Sequence, residues 1–193
     1  MPRTYRLGRR SVQKGQTRTA IVDAAIDLYI ELGISGTTMQ QVARGADVAP
    51  GTLRNHFPSR DDLDRAIVDR ALAEMQAPDV SIYDGLTTVG ERLGRLSRET
   101  GAFLDRAGRW YRMWLREPMV TGVWAEAGAA YGAGWDRLFR EALGPLAKDA
   151  DAMAILRATM HPTFFEAVRS RARSTEETAD LIAAALTPWL ETR

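Results

Sequence analysis

The chain has 193 residues, 45% apolar and 26% charged, the composition of an ordinary folded protein with room for one sizeable core or for a small domain plus a larger one. Cysteine is absent and only two histidines occur, His56 and His161, which excludes disulfides, thiolate nucleophiles and thiolate metal sites and would leave acid–base chemistry to carboxylates alone. The balance points to binding rather than catalysis, so an enzyme is not expected, nor a metal or cofactor. There is no run of about 18 apolar residues to suggest a membrane span, and the basic start lacks the apolar stretch of a secretion signal; a cytoplasmic protein is expected.

The net charge of +1 hides an asymmetry. Residues 1–60 carry nine Lys/Arg against four acids, a net of +5, which leaves −4 for the rest. A basic end on a mildly acidic body is the pattern of a nucleic-acid-binding head on a second domain.

Residues 1–16 hold Pro2, Gly8, Gly15 and five basic residues without an acid, and read as a flexible basic arm. Almost everything after Thr17 carries a helical period. A first helix is expected from about Arg18 to Leu32, with Thr17 as its cap, Ile21, Ala25, Leu28, Tyr29 and Leu32 on one face, and Gly33 as its stop. Thr37-Thr38 opens a short second helix with Met39, Val42, Ala43 and Ala46 inward. A break at Asp47-Val48 follows, and Pro50 suits the first turn of a third short helix ending at His56 or Phe57. Ser59 to Asp62 is a capping box with Asp in the usual Glu position, starting a long helix with Leu63, Ile67 and Ala71 on one face that fades near Pro78.

About five more helices follow, for about nine in all. One is expected from Asp84 to Leu104 and a shorter one from Arg106 to Arg116. A third runs from about Pro118 to Leu143. A fourth, Ala150 to Arg171, should kink or restart at His161-Pro162. The last is capped by the Ser174–Glu177 box and ends near Leu190.

The informative segment is Thr37 to Phe57, TTMQQVARGADVAPGTLRNHF. Two short helices joined by a tight turn form a recognition unit: the first braces the second, whose N-terminal residues enter the major groove. Ala43 and Ala46 are small where the two helices approach, and Val42, Val48 and Leu53 supply a miniature core.

Thr37-Thr38, Val42-Ala43, Ala46, Val48, Gly51-Thr52-Leu53, His56-Phe57, Ser59 and Leu63 stand in register with the pattern of the TetR family of bacterial transcriptional regulators, which the chain resembles over roughly residues 17–66. The resemblance implies an all-α protein: a three-helix DNA-binding domain at 17–62 and a ligand-binding and dimerisation domain at 63–193. It implies three partners, namely double-stranded operator DNA, a second copy of the chain and a small-molecule effector, and no membrane. Thr38 and Arg60 would then touch phosphate, Pro50, Gly51, Thr52, Arg54 and Asn55 would lie at the groove, and His56 would meet the backbone. Three departures stand out. Asp47 replaces the usual turn Gly, Ala49 the usual Ser cap, and Arg54 the usual Tyr; a guanidinium can hold a phosphate bidentately or reach a guanine edge. Arg3, Arg6, Arg9, Arg10 and Lys14 of the arm would track phosphates or enter the minor groove.

In the remainder, Phe103, Trp110, Met113, Trp114, Trp124, Tyr131 and Trp135 concentrate bulky groups in neighbouring helices. They serve either as bundle core or as the lining of a mainly apolar ligand pocket. Leu156, Met160, Phe164, Phe165, Leu181 and Ala185 exceed what one face of a peripheral helix needs and fit a dimer face that pairs as a four-helix bundle. The function implied is a regulator, a repressor by the family's commoner mode, released from a near-palindromic operator by a small, largely apolar ligand. A constitutive regulator without ligand, and a helical interaction protein with a vestigial head, are the alternatives.

Overall fold

The computed structural model describes residues 3–117, 122–169 and 173–193, with the side chains of 3–10, 112, 115 and 116 outside the description. Among the described residues there are nine α-helices and no strand: α1 (Arg3–Leu32), α2 (Met39–Gly45), α3 (Pro50–His56), α4 (Arg60–Glu74), α5 (Val89–Arg116), α6 (Gly122–Leu143), α7 (Ala150–Thr159), α8 (Pro162–Arg169) and α9 (Thr175–Glu191). Short 3-10 turns lie at Val80–Tyr83 and Gly144–Lys148. None of the described helices is long and apolar enough to cross a membrane.

Two elements differ from the sequence expectation. The segment expected as a flexible arm is the start of α1, and Thr17, expected as its cap, lies inside it with its hydroxyl donated back to the Gln13 carbonyl at 3.0 Å. No proline follows Pro2 here, and arginine, leucine, glutamine and lysine sustain the helix through Gly8 and Gly15. The break expected near Asp105 is also absent. α5 runs through it, and the Asp105 carboxylate is taken by Arg169 at 2.6 Å and by the Thr175 hydroxyl at 2.8 Å rather than by a new helix start. The expected restart at His161-Pro162 is real, with Pro162 the first residue of α8.

The chain divides into two compact units, Met1–Ala73 with Arg109–Ala127, and Glu74–Gly108 with Gly128–Arg193. Packing thus places Leu63–Ala73 and residues 109–127 with the head, where the sequence assigned them to the second domain. In the first unit, Ile21, Ala25 and Tyr29 of α1, Val42 of α2, Leu53 and Phe57 around α3, and Leu63 and Ile67 of α4 are buried.

In the second unit Leu93 and Leu96 of α5, Leu138 of α6, Leu156 of α7, Phe165 of α8 and Ala179 of α9 form the core. The buried Ser97 hydroxyl donates to the Ala179 carbonyl at 2.8 Å, tying α5 to α9. Gly101 makes this approach possible: a Cβ there would lie 2.5 Å from Thr175 Cγ2 and 2.9 Å from Phe165 Cζ.

Two glycine substitutions should therefore act oppositely. Gly101→Ala should destabilise by about 1–3 kcal/mol through overpacking. Gly132→Ala, in α6 with nothing within 4 Å of its added Cβ, should stabilise by roughly 0.5–1 kcal/mol through helix propensity. Urea midpoints of the two variants check both signs.

Candidate nucleic-acid interface

The local chemistry of residues 33–63 is nearly all committed to building a helix-turn-helix. Gly33 ends α1 at φ +84°, and Gly36 sits so close to the turn behind it that a Cβ would lie 2.3 Å from the Leu32 carbonyl oxygen. α2 starts with a reciprocal box. The Thr38 amide and hydroxyl both donate to Gln41 Oε1 at 2.7 Å, and the Gln41 amide donates back to Thr38 Oγ1 at 3.2 Å. The Thr38 hydroxyl proton is thereby spent within the protein. Asp47 takes the left-handed turn at φ +52°, as its substitution for glycine demands, and Ala49 caps α3 with no side-chain hydrogen bond. Ser59 and Asp62 close the expected box at the start of α4.

α3 then divides into two faces. Leu53 is buried, and Thr52 and His56 are half-buried. Pro50, Gly51, Arg54 and Asn55, at spacings of one and four residues, share the opposite, exposed face. An open groove of about 520 Å³ runs beside this face, lined by Met39, Gln40, Pro50, Leu53, Arg54, Pro58, Ser59 and Arg60.

Arg60, expected from the sequence at a phosphate, has its guanidinium engaged within the unit while it also lines the groove. Nε donates to Asp64 Oδ1 at 3.1 Å, Nη1 to the Thr37 carbonyl at 2.7 Å and Nη2 to the Ile34 carbonyl at 2.6 Å, while the group stacks 4.8 Å from the Tyr29 ring centre. Asp64, only 6% exposed, also accepts the Tyr29 hydroxyl at 2.5 Å. Burial first, then this bond to Asp64, pushes the Tyr29 hydroxyl far above its ordinary pKa, so it stays a proton donor. Asp61 and Asp62 in the first turn of α4 add a second reason against a phosphate at that end.

The α1–α2 turn is held from a further side. Glu117, just past α5, accepts the Ser35 amide at 3.1 Å through each oxygen and the Ser35 hydroxyl besides. Burial raises the Glu117 carboxyl, but the Ser35 hydroxyl and amide, the Ile34 amide and the Arg60 charge outweigh it and hold it below the usual range. Tyr29 stood in the sequence only as an apolar face residue, and Asp64, Gln41 and Glu117 were not singled out. Thr38-x-x-Gln41 carried a legible box signal; the other three meet only through the fold.

The remaining predicted residues scatter. Side chains of Arg3, Arg6, Arg9 and Arg10 lie outside the described residues, and Lys14 is exposed. Of the aromatic set, Trp110, Met113, Trp114 and Trp124 belong to the first unit. Phe103, Tyr131 and Trp135 belong to the second, with Phe103 5.2 Å from Trp135 and 6.0 Å from Tyr131 between ring centres. Of the expected dimer face, Leu156, Met160 and Phe165 are at most 3% exposed and fill their own unit's core. The restart at Pro162 turns Phe165 inward and leaves its neighbour Phe164 42% exposed; Leu181 on α9 is 43% exposed, and Ala185 is exposed as well.

Two short helices joined by a braced turn, the second with Arg54 and Asn55 exposed, have the arrangement of helix-turn-helix folds. Residues 21–67 match a model of the bacterial regulatory proteins of the tetR family. An uncharacterised HTH-type transcriptional regulator of Haemophilus influenzae is 43% identical over 65 residues, 33% of this chain and 32% of that protein. The HTH-type transcriptional regulator UidR of Escherichia coli is 35% identical over 71 residues, 35% of this chain and 36% of UidR. The matched stretch thus spans about a third of each of these curated relatives. Among solved structures, a TetR-like transcriptional regulator from Rhodococcus superposes with a TM-score of 0.67 at 20% identity, covering 92% of this chain and 97% of that one. AibR in complex with isovaleryl coenzyme A and operator DNA superposes at 0.65 and 18% identity, covering 89% and 98%. At these identities the likeness shows a shared fold alone, over about nine-tenths of the chain.

Tyr29→Phe should cost about 1–3 kcal/mol in urea unfolding, because Asp64 loses a buried donor while the ring packing stays. The Glu117 carboxyl is lower in the folded than in the unfolded chain. Its contribution is therefore complete above about pH 4.3, the ordinary glutamate value, and is lost as the pH falls through the lower folded value. Urea midpoints between pH 3 and 7 should fall on the acid side, and Glu117→Gln should flatten part of that fall.

Proposed function

We propose that this protein is a cytoplasmic, dimeric, sequence-specific transcriptional regulator that binds a near-palindromic operator through α3 and is released by a small, largely apolar ligand. The observation that carries the reading is Gly51. It stands on the exposed face of a helix, where glycine costs stability, and a Cβ there would meet nothing within 4 Å. The protein's own packing has no use for the missing side chain; a DNA backbone approaching the first turn of α3 does.

On this reading Pro50, Gly51, Thr52 and Asn55 lie at the major groove, with Asn55 suited to adenine. Arg54, exposed beside Gln40 in the groove, takes a phosphate or a guanine edge, and His56 meets the backbone. Arg60 acts from inside as a strut that sets the approach. The basic positions Arg3, Arg6, Arg9, Arg10 and Lys14 ride on a helix rather than an extended strand, which favours phosphates over insertion into the minor groove.

The exposed Ile155, Phe164 and Leu181 support pairing with a second copy, which would set two recognition helices against successive grooves. The relatives named above are transcriptional regulators, and the AibR structure holds both a ligand and operator DNA. A ligand that prefers the form unable to span both half-sites would loosen the operator. With a coupling on the order of 1–3 kcal/mol, affinity would drop about 5- to 150-fold.

Selection of bound fragments from a random duplex library, followed by salt titration of the winner, tests the proposal. An enriched near-palindrome with affinity falling steeply against salt is expected, and no enrichment would sink the reading. Gly51→Ala should weaken that complex at least tenfold while leaving the urea midpoint unchanged or higher.

A further inference from the structure

We propose that the indole N–H of Trp124 is the donor that anchors the effector, and that the effector is an apolar molecule carrying a carbonyl or carboxylate oxygen as acceptor. This deepens, and rests on, the ligand-released regulator described above. Trp124 lies in the first turn of α6 and is 7% exposed, and its Nε1 has neither solvent nor a hydrogen-bond partner. Leaving a buried donor unmade is costly, and protein interiors nearly always avoid it. Phenylalanine would fill much of the same space without the penalty, so the N–H calls for an acceptor that arrives from outside.

The neighbourhood narrows what that acceptor is. The Tyr29 ring lies 6.2 Å from the Trp124 ring at 58°, and the Tyr29 hydroxyl proton is already given to Asp64. A buried water needs about three polar partners, and the neighbour described beside the indole is the Tyr29 ring, whose hydroxyl proton is already committed. A single oxygen on an otherwise apolar molecule needs only the one donor, with its hydrocarbon part against rings. The indole is neutral, so it selects for an acceptor rather than for a charge.

The position also gives the ligand a hold on the DNA-binding turn. Trp124, Tyr29, Asp64 and Arg60 all belong to the first unit. Trp124 stands against Tyr29, Tyr29 holds Asp64, and Asp64 holds the guanidinium that carries the Ile34 and Thr37 carbonyls at the entry to α2. An oxygen that reorients the indole acts on the first member of this chain.

The test uses the full-length ¹⁵N-labelled protein, whose five tryptophans give five indole resonances. The one missing from Trp124→Phe is assigned to Trp124; should that variant not fold, its nuclear Overhauser contact with the Tyr29 ring assigns it in the native protein. The probes are shape-matched pairs: acetophenone and ethylbenzene, 1-indanone and indane, cyclohexanone and cyclohexane. At least one ketone should move this resonance downfield and bind roughly tenfold more tightly than its hydrocarbon, and Trp124→Phe should abolish the difference. The proposal is overturned if no ketone moves the resonance, if the ketone preference survives Trp124→Phe, or if the free protein shows the N–H already bonded to a trapped water. A ketone preference without operator enrichment in the library selection would instead sink the regulator reading and leave this site standing.

Discussion

The guanidinium of Arg60 holds the head together. It reaches from α4 to two backbone carbonyls of the α1–α2 turn, pairs with the nearly buried Asp64 and covers the face of Tyr29. The Arg60 side chain keeps 30% of its surface exposed, but Asp64 is nearly buried, and a charge placed there is tolerable only when its partners are good; removing one costs far more than the pair itself contributes. Two helices, α1 and α4, and the turn between α1 and α2 are therefore fixed by a group whose disruption would be felt in all of them. Glu117 adds a second tie on the same turn, at Ser35.

This interior bracing explains what is left over at the surface. Thr38, Ser59, Asp62 and Arg60 spend their polar atoms inside the protein, on caps and carbonyls. The exposed face of α3 keeps Arg54, Asn55 and a glycine that nothing in the chain requires. A surface that is idle within the monomer, carried on a turn held this tightly, suits recognition of a rigid partner better than accommodation of a soft one. Trp124, beside Tyr29, adds a second idle polar group, this one buried.

The fold class and the head were legible because their signals are local. Thr38 before an apolar pattern, Asp47 at a turn, Pro50 at a helix start and the Ser59–Asp62 box act within a few residues of themselves, and each does so in the structure. Arg60 was legible as important, but its partners were not, since Ile34 and Thr37 lie 26 and 23 residues away. The same limit hid Tyr29 with Asp64, and Ser35 with Glu117, 82 residues apart. Phe164 and Phe165 were indistinguishable by type, and only the exact start of α8 decides which faces outward. Continuity of α1 and α5 was missed because glycine and a lone aspartate weaken a helix without ending it.

The central claim is that Arg60 serves DNA binding from inside the head rather than by touching phosphate. Salt titrations of duplex binding for Arg60→Gln, Asp64→Asn and the double variant separate the two. An internal strut predicts that both single variants weaken binding at every salt concentration, that the log affinity against log salt slope is unchanged, and that the two effects are far from additive. A slope shallower by about 0.9 in Arg60→Gln alone, the loss of one phosphate contact, with Asp64→Asn binding as tightly as the native protein or more so, would contradict it.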